Sequence, residues 1–189
     1  MESLYNVSEK MARHQLEIAL PVRSAHVKGV ARRALSISSL FPGEEGEILV
    51  AAAILHDIGY SPKIALSGFH PLDGARYLKS NGIPDRICGL VAHHTCAYRE
   101  AELRGLSAEL SEWQDEETHL RDALWWADLT TTPHGKVTSV NDRIDEIQKR
   151  YGPRDLVTFF IRQAKSELID AVARTEKRLK LAGMDYVIK

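Results

Sequence analysis

The chain has 189 residues, of which 44% are hydrophobic and 27% charged, and its formal net charge is −1. These values predict a single globular domain that buries about two thirds of its unfolded surface, and they favour neither a nucleic-acid polymer nor a membrane as partner. No apolar segment approaches the roughly 18 residues of a membrane span, and Glu2, Glu9 and Lys10 occupy the region where a signal peptide needs an apolar core, so we expect a cytoplasmic protein with Cys88 and Cys96 as reduced thiols.

Helical periodicity recurs along the whole chain, whereas alternating patterns typical of strands are weak, so we predict an all-α fold, a single-domain helical bundle. A first helix is predicted over residues 5–20, ending before Pro21. A second is predicted over about 22–40, stopping at 41–43, and its apolar stripe places His26 on or beside the buried face.

The apolar run 48–58, with three alanines and Gly59 as its stop, predicts a buried helix at the centre of the fold. His56 and Asp57 lie at its C-terminal end. An imidazole and a carboxylate buried there need hydrogen bonds or a metal ion, and a helix C-terminus favours a cation. Taken as an isolated dipeptide, the pair is more simply interpreted as the cap of a core helix.

Histidines also mark the next two predicted helices. His70 stands directly before Pro71, a residue that favours the first helical position and disfavours helical backbone at the residue before it. The pattern therefore predicts His70 at the start of a helix over 71–80. In the following helix, opened by Pro84, the apolar stripe points His94 inward, with His93 about 100° round the axis.

The later part of the chain contributes one more inward carboxylate. Short helices are predicted over 101–114, and a further helix from Glu116 carries Asp128 on its apolar face, where a carboxylate needs a partner. Residues of about 22–132 would thus form a metal-site core. The helices predicted within 141–182 are interpreted as scaffold of the same 1–189 domain, with their basic residues facing solvent.

Taken together, five histidines and two aspartates lie on core faces or helix ends, a ligand set suited to Zn, Fe, Mn or Co. In this respect the sequence resembles the HD-domain superfamily of metal-dependent phosphohydrolases, whose pattern is a helical His, a His-Asp dyad and a later Asp. The dyad is extended here to the form His-Asp-Ile-Gly. The seven residues are His26, His56, Asp57, His70, His93, His94 and Asp128.

The resemblance implies two divalent ions, drawn from Fe, Mn, Co, Mg and Zn. It assigns the first ion to the residues that match the superfamily's four ligands, and the second to the extra histidines of two-metal members, with Asp57 bridging. The first set is His26, His56, Asp57 and Asp128, and the second set adds His70, His93 and His94.

Two departures limit how far the resemblance extends. The cyclic dinucleotide phosphodiesterases of the superfamily have a lysine after the dyad and Gly-Tyr-Pro after the last histidine, whereas this chain has Tyr60 and lacks the tripeptide after His94. The position one turn before His26 is Val22 instead of a glutamate, which argues against a third metal.

The resemblance implies hydrolysis of a nucleotide or small phosphorylated metabolite by a metal-bridging hydroxide, with Asp57 and His56 at the reaction centre. Lys63 is the leading candidate for a phosphate contact, followed by Arg23 and Thr131, although each also suits a surface or capping role. Two alternatives stay open. An HD-type mixed-valent di-iron oxygenase would use the same ligand order, and a non-catalytic nucleotide-binding sensor is disfavoured because every ligand position is filled.

Overall fold

A computed structural model describes residues 2–188, and it confirms the all-α fold. Within this range the one extended pairing is an isolated bridge between Thr131 and Val137. Short 3-10 turns lie at Ser38–Leu40, Ile58–Tyr60, His94–Cys96 and Asp185–Val187. The α-helices are α1 Leu4–Leu16, α2 Pro21–Ile37, α3 Glu45–Leu55, α4 His70–Ser80, α5 Asp85–Ala92, α6 Ala97–Arg104, α7 Ser107–Leu110, α8 His119–Leu129, α9 Val140–Tyr151 and α10 Leu156–Leu181.

Helix α3 is the centre of the core, as the apolar run predicted. It packs against α1, α2, α5 and α8, and Ala51, Ala52 and Ala53 have no exposed surface. Small side chains let the neighbouring helices approach α3 closely from several sides. The end of α3 is therefore surrounded by residues from other helices, which places His56 and Asp57 in the interior.

Helix boundaries follow local backbone chemistry. Helix α1 ends at Leu16, earlier than predicted, and turns at residues 17–19 connect it to Leu20, which precedes Pro21 and has non-helical backbone. Helix α4 begins at His70, one residue before the predicted start, with Pro71 in its first turn. This start mounts His70 rigidly at the N-terminal end of α4.

The two C-terminal helices lie against the rest of the bundle. Ser139 caps α9 by accepting a hydrogen bond from the Asp142 amide, and Asp155 caps α10 by accepting one from the Val157 amide. Helix α10 packs on α6, α8 and α9. This packing brings α9 to the end of the bundle where α2 begins.

Neither cysteine forms a disulfide, in agreement with the prediction, since Cys88 and Cys96 are both free and buried. Between residues 2 and 188, no helix combines the length and the hydropathy needed to cross a membrane.

Candidate metal centre

Six of the seven predicted ligands come together in two adjoining groups. Within each group, one ligand atom from each residue lies within 4.8 Å of the others. His26 lies in α2 and Asp128 in α8, while His56 and Asp57 directly follow α3. His70 is the first residue of α4, and His94 comes after the residue that caps α5. The groups are His26, His56 and Asp128, and Asp57, His70 and His94.

Asp57 lies between the two groups and faces both. Its Oδ2 atom lies 3.4 Å from Nε2 of His56 and 3.8 Å from Nε2 of His26. Its Oδ1 atom lies 3.4 Å from Nε2 of His70 and 3.8 Å from Nε2 of His94. One carboxylate oxygen is thus directed at each group, which is the arrangement a bridging carboxylate requires.

Three of the histidines are held in one tautomer by the main chain. A carbonyl oxygen can only accept a hydrogen bond, so an Nδ1 atom next to one must carry a proton. In the neutral ring the Nε2 atom then keeps its lone pair, which is the state of a metal ligand. The Nδ1 atoms concerned donate to carbonyl oxygens as follows: His26 to Thr132 at 3.1 Å, His56 to Ala53 at 2.8 Å and His94 to Val91 at 2.6 Å.

The unsatisfied atoms that result fit a divalent metal ion. Nε2 of His56 is buried and has no hydrogen-bond partner. Nε2 of His26 lies 3.0 Å from Oδ1 of Asp128, and Nε2 of His70 lies 3.1 Å from Nε2 of His94. Atoms that offer lone pairs to one another at such distances require a proton or a metal between them. The donor set of imidazole and carboxylate suits transition metals.

Burial and nearby charge set the protonation of the ligands. Burial holds the pKa of His70 well below its usual range and also lowers the pKa of His94, so both rings are neutral at neutral pH. Burial alone would raise the pKa of Asp57, but the charge of the adjacent Arg23 guanidinium outweighs it and holds this pKa well below the usual range. Both states are those a metal ligand needs.

Arg23 is the predicted phosphate contact that the structure places in this site. Its Nη1 atom donates to Oδ2 of Asp57 at 2.6 Å. Its guanidinium carbon lies 4.0 Å from the centroid of the Tyr60 ring, which in turn stacks on His70 at 3.9 Å. Tyr60, the residue that replaces the lysine of the cyclic dinucleotide subgroup, therefore holds both Arg23 and His70 in position.

Thr95 is a site residue that the sequence analysis missed. Its hydroxyl donates to Oδ2 of Asp128 at 2.7 Å, which orients the carboxylate toward His26. Thr95 and the next residue, Cys96, both have left-handed backbone, with φ of 55° and 57°. A β-branched residue in this region costs on the order of 1–3 kcal/mol, and such strain concentrates at functional sites. No pattern in the sequence marks a threonine for this role.

A narrow cleft, open to solvent, leads to the ligand groups, and Asp57, His70, His94 and Asp128 line it. Its far side is formed by the C-terminal helices, which the sequence analysis treated as scaffold with solvated basic residues. The expectation of a solvated side chain was wrong for Arg143 of α9, which is 5% exposed, whereas Arg150 is exposed as expected. The C-terminal residues that line the cleft are Arg143, Ile147, Arg150 and Tyr151 from α9, and Val157, Phe160 and Ile161 from α10.

His93 does not join either group, contrary to the prediction that it ligates the second ion with its neighbour. It is the residue that ends α5, and its Nε2 atom lies 2.8 Å from the carbonyl oxygen of Trp113. Its own carbonyl accepts a hydrogen bond from Nε1 of Trp125 at 3.2 Å. The backbone changes direction at the end of α5, so the side chains of His93 and His94 point to different places. His93 contacts Trp113 and Trp125 instead of the ligand groups.

The two remaining candidates for phosphate contacts lie outside the cleft. Lys63 is exposed and lines a separate surface depression with Asp73 and Arg76. Thr131 is buried, and its hydroxyl donates to the carbonyl of Ala127 at 2.7 Å in the last turn of α8. Neither side chain lines the cleft that opens from Asp57.

Comparison with known proteins gives one positive result. The family model described as the HD domain matches residues 23–147, a range that contains all six converging ligands and most of α9. No curated protein and no solved structure is significantly similar to the chain.

Proposed function

Because the chain belongs to the HD-domain family, a superfamily of metal-dependent phosphohydrolases, we propose that it hydrolyses a phosphoester bond in a nucleotide or a small phosphorylated metabolite. The observation that carries the proposal is the position of Asp57, whose two oxygens face separate ligand groups. This arrangement favours a site for two ions. We propose no nucleic-acid polymer as partner, since the net charge is close to zero.

Two divalent ions held by these groups would lower the pKa of a water molecule between them and neutralise the charge that develops at phosphorus. His26, His56 and Asp128 would hold one ion, His70 and His94 the other, and Asp57 both. The main-chain carbonyls that fix the histidine tautomers keep each Nε2 lone pair directed at its ion.

The chain adds its own positive charge beside the ligands. Arg23 is half-buried and already in contact with Asp57. Its guanidinium could therefore donate hydrogen bonds to the oxygens of a phosphate bound next to Asp57. A guanidinium binds two phosphate oxygens at once and keeps its charge at any physiological pH. The Tyr60 ring, whose centroid lies 4.0 Å from the guanidinium carbon, limits the movement of the Arg23 side chain.

The test is an assay of protein purified without added metal and then loaded with Mn, Co or Mg. We expect release of phosphate from at least one member of a panel of nucleotides, sugar phosphates and aryl phosphates, and loss of turnover with a chelator. His56→Ala should abolish turnover, whereas His14→Ala, on the exposed face of α1, should not. Absence of turnover across the panel, with O₂ consumption by iron-loaded protein, would instead identify the di-iron oxygenase.

A further inference from the structure

One face of α9 looks into the cleft. Its residues are Arg143, Ile147, Arg150 and Tyr151, at the i, i+4, i+7 and i+8 spacing of a single helical face. The face contains two different surfaces. The arginine guanidiniums form a cationic surface, and Ile147 and Tyr151 form an apolar one. Each kind is continued by a neighbouring helix.

The cationic surface consists of Arg23, Arg143 and Arg150. All three line the cleft and also an adjoining cavity beside His26, so they stand at the junction of the two spaces. Nε of Arg143 is buried and has no hydrogen-bond partner. Glu146 pairs with Arg143 and also with Arg150, whose Nε lies 2.9 Å from Oε1.

The charge balance of this surface favours an anion. One carboxylate, that of Glu146, pairs with two guanidiniums, so the α9 face keeps a net positive charge. The buried and unpartnered Nε of Arg143 costs free energy unless it meets an acceptor. A phosphate group supplies several acceptor oxygens and up to two negative charges, and guanidinium forks match its geometry.

The apolar surface is formed by Ile147 and Tyr151 of α9 together with Val157, Phe160 and Ile161 of α10. Phe160 and Ile161 are buried, with 4% and 2% of their surface exposed, whereas Tyr151 and Val157 are only partly covered. The surface that Tyr151 and Val157 leave exposed gains free energy when a flat or apolar group covers it. A small, fully hydroxylated group would gain little there.

We propose that the substrate is a phosphate monoester with an aromatic or mainly apolar organic group, whose phosphate is bound by Arg143 and Arg150 and whose organic group packs on Tyr151 and Val157. This proposal rests on the proposed hydrolysis at the same site. It assigns α9 a role in substrate selection.

Two variants and one control separate the two surfaces in the metal-loaded protein. Arg150→Gln should raise KM for both phenyl phosphate and glycerol phosphate by roughly tenfold, because one charge-assisted contact is lost from either ester. Tyr151→Ala should raise KM for phenyl phosphate or a nucleoside monophosphate several-fold and leave KM for glycerol phosphate unchanged. Arg154→Gln, an exposed arginine near the end of α9, is the matched control and should behave as wild type.

Equal effects of Arg150→Gln and Arg154→Gln would overturn the phosphate subsite, and equal effects of Tyr151→Ala on both esters would overturn the apolar one. Calorimetry with inorganic phosphate and phenyl phosphate measures binding without turnover. Wild-type protein that binds phenyl phosphate in an Arg150-dependent and Tyr151-dependent way but hydrolyses nothing would support the binding site and refute the hydrolytic function. Arg143→Lys, which keeps the charge of the buried residue, provides a folded second variant with weakened phosphate binding.

Discussion

Oδ1 of Asp57 lies 3.4 Å from Nε2 of His70, although the two residues belong to different helical segments. The other oxygen of the same carboxylate faces His56. Removing Asp57 therefore alters both ligand groups, whereas removing His70 alters one. This difference makes the number of bound ions measurable residue by residue.

We expect Asp57→Ala to leave the protein with little or no metal, and His70→Ala to reduce the content from about two ions per chain to about one. Asp128→Ala should favour loss of the ion in the first group. The measurement is elemental analysis after metal loading and desalting. His93→Gln, which keeps a donor for the Trp113 carbonyl, should retain both ions because His93 lies outside the two groups.

A wild-type protein with a single ion, unaffected by His70→Ala, would contradict the two-ion assignment and leave a mononuclear site. Loss of an ion from His93→Gln in a correctly folded protein would return His93 to the ligand set. Circular dichroism of each variant separates loss of a ligand from loss of the fold.

Thr95→Val should weaken metal binding in the first group by about 10–100-fold, because it removes the hydroxyl that orients Asp128 while keeping the β-branched shape. Thr95→Ser restores the hydroxyl and should recover most of the affinity. Competition with a metal-binding dye gives the dissociation constants. If the serine variant is as weak as the valine variant, the contribution of Thr95 is packing and not its hydrogen bond.

Gly59→Ala should lower the free energy of unfolding by more than about 3 kcal/mol, because a Cβ atom at Gly59 would lie 2.0 Å from the carbonyl oxygen of His70. At about 2–4 °C per kcal/mol, the melting temperature should fall by at least about 6 °C. Gly74→Ala is the control across the same contact. Its Cβ would meet Gly59 at 3.2 Å, so we expect a change within about 1 kcal/mol. Similar melting temperatures for the two variants would contradict this account.

The cysteines should resist alkylation in the folded protein. Burial raises the pKa of the Cys88 thiol to about 11, and it also raises the pKa of Cys96. Since the thiolate is the reactive form and a raised pKa reduces its fraction, labelling at pH 8 should be negligible and should increase only as the pH approaches 11. Denaturant should expose two thiols to the reagent, measured by mass. A mass that indicates a disulfide would contradict both the free thiols and their protection.

The sequence predicted the all-α fold and most of the residues that converge at the candidate metal centre, because buried polar residues on apolar faces are visible as breaks in a 3.6-residue period. His26 and Asp128 are examples. His93 failed for a geometric reason: the helix ends at that residue, and a periodic pattern does not specify the direction of the chain beyond a helix end. Thr95 was missed because its position depends on a left-handed backbone conformation, which the residue type does not predict.

The substrate side of the cleft was the least predictable part. Whether Arg143 is solvated or buried depends on how α9 packs on α8 and α10, and such packing is a tertiary property that the amphipathic pattern of α9 alone does not contain. Lys63 was favoured for its position after the dyad, but the chain turns away at residues 61–63 and carries its side chain to another surface.

Because Gly59 and His70 are in direct main-chain contact, the spacing of Asp57 and His70 is independent of the shape of the cleft walls. No side chain stands between these backbones, so the spacing of Asp57 and His70 depends on van der Waals contact between main-chain atoms and not on the size of a side chain at position 59. The walls supplied by α9 and α10 lie elsewhere in the cleft. Redesign of those walls for a different organic group can therefore proceed without disturbing the spacing on which the reaction centre depends.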